Sequence, residues 1–150
     1  MKPQVNVSES LLLDDQLCFA LYAASRAVTA VYRPLLDELG LTYPQYLVML
    51  LLWERGSCPV KDLAAALHLD YGTLTPLLKR LEVAGYLQRQ RRRGDERTVD
   101  IALTEAGEDL HARAGQIPPT ISRAMALTTP DTAALRDLLR QLSDNLRDAA

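Results

Sequence analysis

A mainly α-helical domain carrying one small β-hairpin is the fold class this chain predicts, and three observations predict it. Leu74, Leu77, Leu78 and Leu81 recur at helical spacing between Thr73 and Val83, just after a shorter helical pattern from Lys61 to Leu69. Tyr86 to Arg92 and Thr98 to Leu103 alternate as two strands, with Arg93-Gly94-Asp95-Glu96-Arg97 as the tip between them. Long apolar stripes stand near both ends of the chain. Helix, turn, helix and hairpin in that order describe a winged helix-turn-helix, flanked here by N- and C-terminal helices.

Each element follows from local chemistry. Met1 to Ser10 reads as a loose arm. Asp14 or Asp15 is placed to begin a long helix, whose apolar positions Leu17, Leu21, Ala24, Val28, Val31 and Leu35 alternate four and three apart. That spacing makes one continuous seam suited to another helix. Pro34 is expected to bend or break this helix before Gly40, because proline lacks the donor the helical ladder needs. Thr42 and Gln45 have capping-box spacing, and Pro44 suits the first turn of a helix running to about Glu54. Its LVMLLLW run is apolar nearly all round and should form the buried centre. The Lys61 to Leu69 helix has an alanine-rich middle, which lets another helix cross it closely. Asp70 can cap the next helix, and Gly85 can end it. Thr104 caps a helix that Pro118 and Pro119 interrupt. A final helix from about Asp131 carries Leu135, Leu138, Leu139, Leu142 and Leu146 on one face. The whole reads as a single domain. Roughly residues 42–103 form the winged unit, and about 11–40 and 104–150 form dimerisation helices.

Composition narrows the function classes. The chain has 150 residues, 48% hydrophobic and 24% charged, enough to bury its own core as one domain. The longest apolar run, Leu47 to Trp53, is far too short to span a membrane. The amino terminus lacks a signal-peptide pattern, which makes the cytoplasm the expected location. Cys18 and Cys58 do not make a disulfide framework, and neither falls in metal-ligand spacing. His68 and His111 stand alone. No metal or cofactor is expected, and no catalytic set that would make the chain an enzyme emerges.

Charge is unevenly placed. The formal net charge is -2, yet seven basic residues between Lys79 and Arg97 face only three acids, a local surplus of four positive charges. A basic hairpin on an acidic body concentrates positive potential where phosphates would lie. The outer face of the second helix carries Thr73, Thr75, Lys79 and Arg80, donors for base edges and phosphates. Together these features predict binding to double-stranded DNA. The competing reading is an ordinary solvated turn, since exposed arginines in loops are common. The two terminal helices have apolar stripes without an obvious partner inside the domain. They suggest an interlocked homodimer that sets two reading heads on a two-fold axis; the alternative is that both fold back on their own domain.

The segment LxxxLxLDxGTLTPLLKRLExAGY, the wing pair Asp95-x-Arg97 and the terminal helices together resemble the MarR family of winged-helix repressors, over nearly the whole chain. LDDQLCFALYAASR and YRPLLDELGLTYPQYLVMLLLWE are similar to the organic-hydroperoxide-sensing, OhrR-type branch. That resemblance implies a repressor of a peroxide-detoxification gene that leaves its palindromic operator when a single cysteine is oxidised. It places Cys18 as the sensing cysteine, with Tyr32 and Tyr43 as tyrosines that hydrogen-bond the sulfur across the dimer interface and Tyr22 as a further pocket tyrosine. It assigns Arg97 to the minor groove with Asp95 orienting it, and Thr73, Thr75, Lys79 and Arg80 to the major groove. Arg92 and Arg93 join the DNA-contacting set as cations of the wing. Tyr71 departs from the pattern, since a smaller polar residue is expected before Gly-Thr-Leu-Thr.

The chemistry has its own logic. A thiol attacks as thiolate, and a first helical turn, with free amides and the helix dipole, favours an anion at Cys18. Asp14 and Asp15 oppose this by adding negative charge nearby. Tyrosine hydroxyls donated to the sulfur would help, and an apolar wall from Leu17, Phe19 and the Leu47 to Trp53 helix would favour an organic hydroperoxide. The plain alternative is that Cys18 is a small buried apolar residue on an amphipathic helix. Cys58, before Pro59 at the entry to a helix of the winged unit, reads as structural or incidental. This favours a cycle in which sulfenic acid on Cys18 is capped by a low-molecular-weight thiol, with a Cys18–Cys58 disulfide as the other route. Two further functions stay open: a MarR-type regulator answering a noncovalent aromatic ligand, and a thiol peroxidase on the same scaffold.

Overall fold

The structure, a computed structural model, describes residues 9–92 and 94–150. Most of the expected N-terminal arm (residues 1–8) and Arg93 lie outside the described residues. The chain divides into two compact units, the first ending at Gln116 and the second running from Ile117 to Ala150.

In the first unit, helix α1 spans Leu17–Asp37 and α2 spans Tyr43–Arg55. Strand β1 (Ser57–Pro59), α3 (Val60–Leu67) and α4 (Tyr71–Val83) follow. Strands β2 (Leu87–Arg92) and β3 (Asp95–Leu103) lead to α5 (Glu105–Ala114). The three strands form one antiparallel sheet in the order β1-β3-β2. The second unit holds α6 (Ile117–Met125) and α7 (Thr129–Ala149).

The caps explain why the helices stand where they do. Thr42 accepts from the Gln45 amide at 3.4 Å, and the Gln45 side chain accepts from the Thr42 amide at 2.9 Å. This reciprocal box leaves Gln45 satisfied although it is buried. Asp70 caps α4 by accepting from the Thr73 amide at 2.7 Å, which holds its carboxyl below the usual range. At the far end Gly85 takes φ +87°, and the Tyr86 amide reaches back to the Leu81 carbonyl. The core gathers where α2 is wrapped. Val48, Met49 and Leu52 of α2, Leu63 of α3, Leu74, Leu78 and Leu81 of α4, Leu87 of β2 and Ile101 of β3 are all buried. At roughly 2 kcal/mol for each large apolar side chain removed from water, this cluster is the main stabilising term of the unit.

Several local expectations are corrected. The long helix is capped at Gln16, not at Asp14 or Asp15, which belong to a separate 3-10 turn, Leu13–Asp15. Gln16 is extended and its side chain donates back to the Ser10 and Leu12 carbonyls, while Asp15 accepts from the Ser10 hydroxyl. Pro34 does not end α1 before Asp37. Pro34 and Ala30 are both exposed, so water can serve the Ala30 carbonyl that the proline leaves without a donor. The sheet gains β1, and β3 begins at Asp95, three residues earlier than expected, with a register shift between Arg91 and Arg92. Pro118 and Pro119 lie in the first turn of α6, where proline costs no helical hydrogen bond. Thr128 caps α7, accepting from the Asp131 amide.

Candidate functional site

Two groups of residues stand out, one on the α4–wing face and one along α1 and α2. On α4, the four leucines turn inward, and Thr73, Thr75, Lys79 and Arg80 are all exposed on the other side. The wing projects beside them. Asp95 accepts from the Arg97 amide at 3.1 Å and from the Thr98 hydroxyl at 2.7 Å. These bonds, strengthened by the positive charges of Arg92 and Lys61, hold its carboxyl below the usual range. Asp95 therefore fixes the backbone from which Arg97 projects, by accepting from the Arg97 amide.

Arg92 differs from the sequence expectation in its engagement. Its guanidinium donates to both carboxylate oxygens of Asp100, at 3.1 and 3.2 Å. The pair spans the two strands of the hairpin and makes Arg92 a brace of the wing. Arg89 lies 3.8 Å from Glu82 of α4, a loose pair on an exposed surface. Between α4 and the wing lies an open hollow of about 340 Å³, lined among others by Lys61, Tyr71, Arg89 and Arg97. Sequence reasoning missed Thr98, Asp100 and Lys61. Their roles depend on strand register and on elements distant in sequence, and no local spacing announces them.

The second group is built on α1 and α2. Cys18, the second residue of α1, is exposed and unbonded to Cys58, which is buried in β1. Tyr22 lies one turn further on the same face, 59% exposed, with the Arg26 guanidinium 5.5 Å from its ring centre. Tyr32 of α1 meets Tyr43 and Tyr46 of α2, with ring centroids 4.8 and 5.7 Å apart. The structure thus brings Tyr32 and Tyr43 together but leaves Cys18 apart from them. Tyr32 lies fourteen positions beyond Cys18 along α1, roughly 21 Å at the rise of an α-helix. Tyr46 was not singled out from the sequence, although its place one turn after Tyr43 puts both on one face of α2.

Burial pushes the Tyr32 phenol up to about 12, with Tyr43 and Tyr46 adding to the shift. Burial likewise raises Tyr43 and Tyr46. All three stay neutral hydroxyl donors at any physiological pH. The sign for stability follows from linkage: the unfolded phenol ionises near 10.0 and the folded one near 12. The contribution of Tyr32 is complete below the lower value and is lost as pH rises through the upper one. Spectrophotometric titration of the phenolate band should show a late-ionising tyrosine that Tyr32→Phe removes. An unchanged titration curve in that variant contradicts the assignment.

Beyond these groups, no cluster of three or more His, Cys, Asp or Glu among the described residues could hold a metal ion. Among the same residues, no helix is long and apolar enough to cross a membrane.

Comparison with known proteins decides the family. A family model for the transcriptional regulator SarA/Rot matches residues 30–113. The organic hydroperoxide resistance transcriptional regulator of Bacillus subtilis (strain 168) is 47% identical over 141 residues, covering 94% of this chain and 96% of that protein. The chain belongs to this family of MarR-type winged-helix transcriptional regulators.

Solved structures agree with the assignment. AbfR of Staphylococcus epidermidis superposes on the regulator with a TM-score of 0.75 and 36% identity, covering 91% of this chain and 94% of that one. A structure of reduced AbfR bound to DNA gives a TM-score of 0.71 and 35% identity, over 89% and 94% of the two chains. The predicted fold class, mainly helical with a small hairpin wing, is the fold of these neighbours. The relatives regulate transcription and are not enzymes, so the thiol-peroxidase reading is set aside.

Proposed function

We propose that this regulator binds a palindromic operator in double-stranded DNA as a homodimer and releases it when an organic hydroperoxide oxidises Cys18. The observation that carries the reading is the separation along α1. A tyrosine pair suited to donate to a sulfur lies some 21 Å, by helical rise, from the exposed thiol of its own chain. Only a second copy, with its α1 running alongside, can deliver the partner's Tyr32 and the partner's Tyr43 to Cys18. The seam of α1 is free for this, with Leu17 and Val31 58% and 39% exposed. Along α7 no residue is buried, and Leu135, Leu138 and Leu146 are between 48% and 63% exposed. Apolar stripes of this length are covered in a working protein, which supports a role for the N- and C-terminal helices in dimerisation. The similarity to an organic hydroperoxide resistance regulator supports the choice of oxidant.

The chemistry balances with one co-reactant. The Cys18 thiolate attacks the terminal peroxide oxygen, an S–O bond forms, the O–O bond breaks, and the departing alkoxide takes up a proton to leave as alcohol. A low-molecular-weight thiol then displaces water from the sulfenic acid and leaves a mixed disulfide. Tyrosine hydroxyls donate first to the thiolate and then to the leaving oxygen. Cys58 is buried in the sheet and is not required. The cap adds bulk at the dimer interface and removes the tyrosine bonds. The dimer then shifts to an arrangement whose two heads no longer match half-sites about one helical turn apart. In the bound state Thr73, Thr75, Lys79 and Arg80 face the major groove, and Arg97 enters the minor groove.

Fluorescence-anisotropy binding to an operator from the protein's own gene neighbourhood tests this. Reduced wild type and Cys18→Ser should bind alike. On addition of an organic hydroperoxide with a small thiol, wild type should release the duplex and Cys18→Ser should stay. Tyr32→Phe and Tyr43→Phe should blunt the release and spare reduced binding. Retention by wild type and Cys18→Ser alike sinks the sensing reading.

A further inference from the structure

The hollow between the start of α4 and the wing holds three side chains, Lys61, Tyr71 and Arg89, that neither the core nor the groove contacts above use. Lys61 reaches it from the start of α3, Tyr71 from the first residue of α4, Arg89 from β2 and Arg97 from β3, with Val60 and Thr98 completing its walls. No acid lines it. Asp70, beside Tyr71, turns its carboxylate to the Thr73 amide, and Glu82 approaches Arg89 only at 3.8 Å. Lys61 is exposed, at the first turn of its helix, and near enough to the wing for its charge to act on Asp95. Tyr71 is 57% exposed, so its large ring does not fill the core.

We infer that this hollow seats a backbone phosphate of the bound DNA, with Lys61, Tyr71 and Arg89 as its contacts. The inference rests on the DNA-binding reading above and adds residues to it. If α4 lies in a major groove and the wing tip in the adjacent minor groove, the sugar-phosphate strand between those grooves must cross the gap between α4 and the wing. The hollow lies in that gap. An anion there meets cations from two separate elements, Lys61 of α3 and Arg89 of β2, and the Tyr71 hydroxyl can donate to a phosphate oxygen without reading a base. At about 340 Å³ and open to solvent, the hollow has room for a phosphodiester with part of its sugars. Tyr71 is then a sequence-independent contact, although it begins the helix that carries the base-facing threonines.

Salt dependence separates this from base reading. Operator and scrambled duplexes would be titrated with wild type, Lys61→Gln and Tyr71→Phe across a range of salt concentrations. Each phosphate neutralised by a cation contributes about 0.9 to the slope of log affinity against log salt. Lys61→Gln should therefore lower that slope by about 0.9 per protomer and weaken both duplexes by the same factor. Tyr71→Phe, which removes only a neutral donor, should weaken both duplexes roughly two- to tenfold and leave the slope unchanged. Thermal melting of each variant confirms that it is folded. An unchanged slope in Lys61→Gln overturns the phosphate seat while wild-type binding leaves the DNA reading intact. A Tyr71→Phe loss confined to the operator makes Tyr71 a base reader and overturns its role here. Wild type that binds neither duplex overturns both readings together.

Discussion

Gly107→Ala should destabilise the winged unit by about 3 kcal/mol or more, although alanine is the better helix former by about 1 kcal/mol. Gly107 lies inside α5, where its backbone conformation asks nothing special of it. Space is what it lacks. A Cβ there would stand 2.1 Å from the Tyr86 carbonyl oxygen, 3.0 Å from the carbonyl carbon and 3.1 Å from a Leu103 methyl. The first two are backbone atoms held in place on both sides. The Tyr86 carbonyl accepts from the Thr104 amide at 3.1 Å, and the Thr104 hydroxyl donates to the Gly85 carbonyl. The Gly107 carbonyl itself accepts from the Trp53 indole at 2.9 Å. Backing α5 away from the clash breaks these bonds, so no cheap relaxation exists. For a chain of this size the loss corresponds to a fall in Tm of roughly 6–12 °C, read by circular dichroism on heating. Propensity and sterics predict opposite signs here, and a raised Tm would show that α5 docks less tightly than described.

The second large effect is expected at Arg97. Replacing it with alanine should weaken operator binding by about 1–3 kcal/mol per wing, roughly 5- to 150-fold, and the proposed dimer loses both wings at once. The side chain is exposed and forms no ion pair among the described residues, so the folded state should keep its melting temperature. Asp95→Ala should show a smaller loss of affinity. It frees the Arg97 amide and the Thr98 hydroxyl, and the wing then has to be ordered on the DNA at an entropic cost. Anisotropy titrations of the reduced proteins measure all of these. Arg97→Ala within twofold of wild type would remove the wing from the interface.

Much of this was legible in the sequence where the physics is local. The Thr42–Gln45 box, the Asp70 cap, the Gly85 stop and the inward leucines of α4 each depend on residues within one or two turns, and each stands as the spacing predicts. The pattern fails where the determinant is distant. Strand β1 has only three residues and exists because β3 pairs with it, forty-odd residues later. Arg92 looked like another free wing cation until the register set it against Asp100. Lys61 and Tyr71 converge with Arg89 and Arg97 only after four elements have folded, so no window of sequence contains the hollow. Tyr32 and Tyr43 were placed by family resemblance, and their contact could not be read from either helix alone. Asp15 shows the reverse case. A good capping residue was available, but Gln16 bonded to the preceding turn and displaced the start of the helix.

Trp53 is the sole tryptophan among the 150 residues. It meets Tyr46 at 6.5 Å and the His111 ring at 5.2 Å, and its indole donates to the carbonyl of Gly107. Tyr46 in turn touches the tyrosine pair of the α1–α2 site, while Gly107 abuts the residue that opens the wing. The chain therefore has one tryptophan emitter, which can be excited at wavelengths that its six tyrosines do not absorb, and it sits on the seam between the helix that carries Tyr43 and Tyr46 and the helix that follows the wing. Its colour and intensity report the polarity and quenching at that seam alone, without a dye or an engineered label.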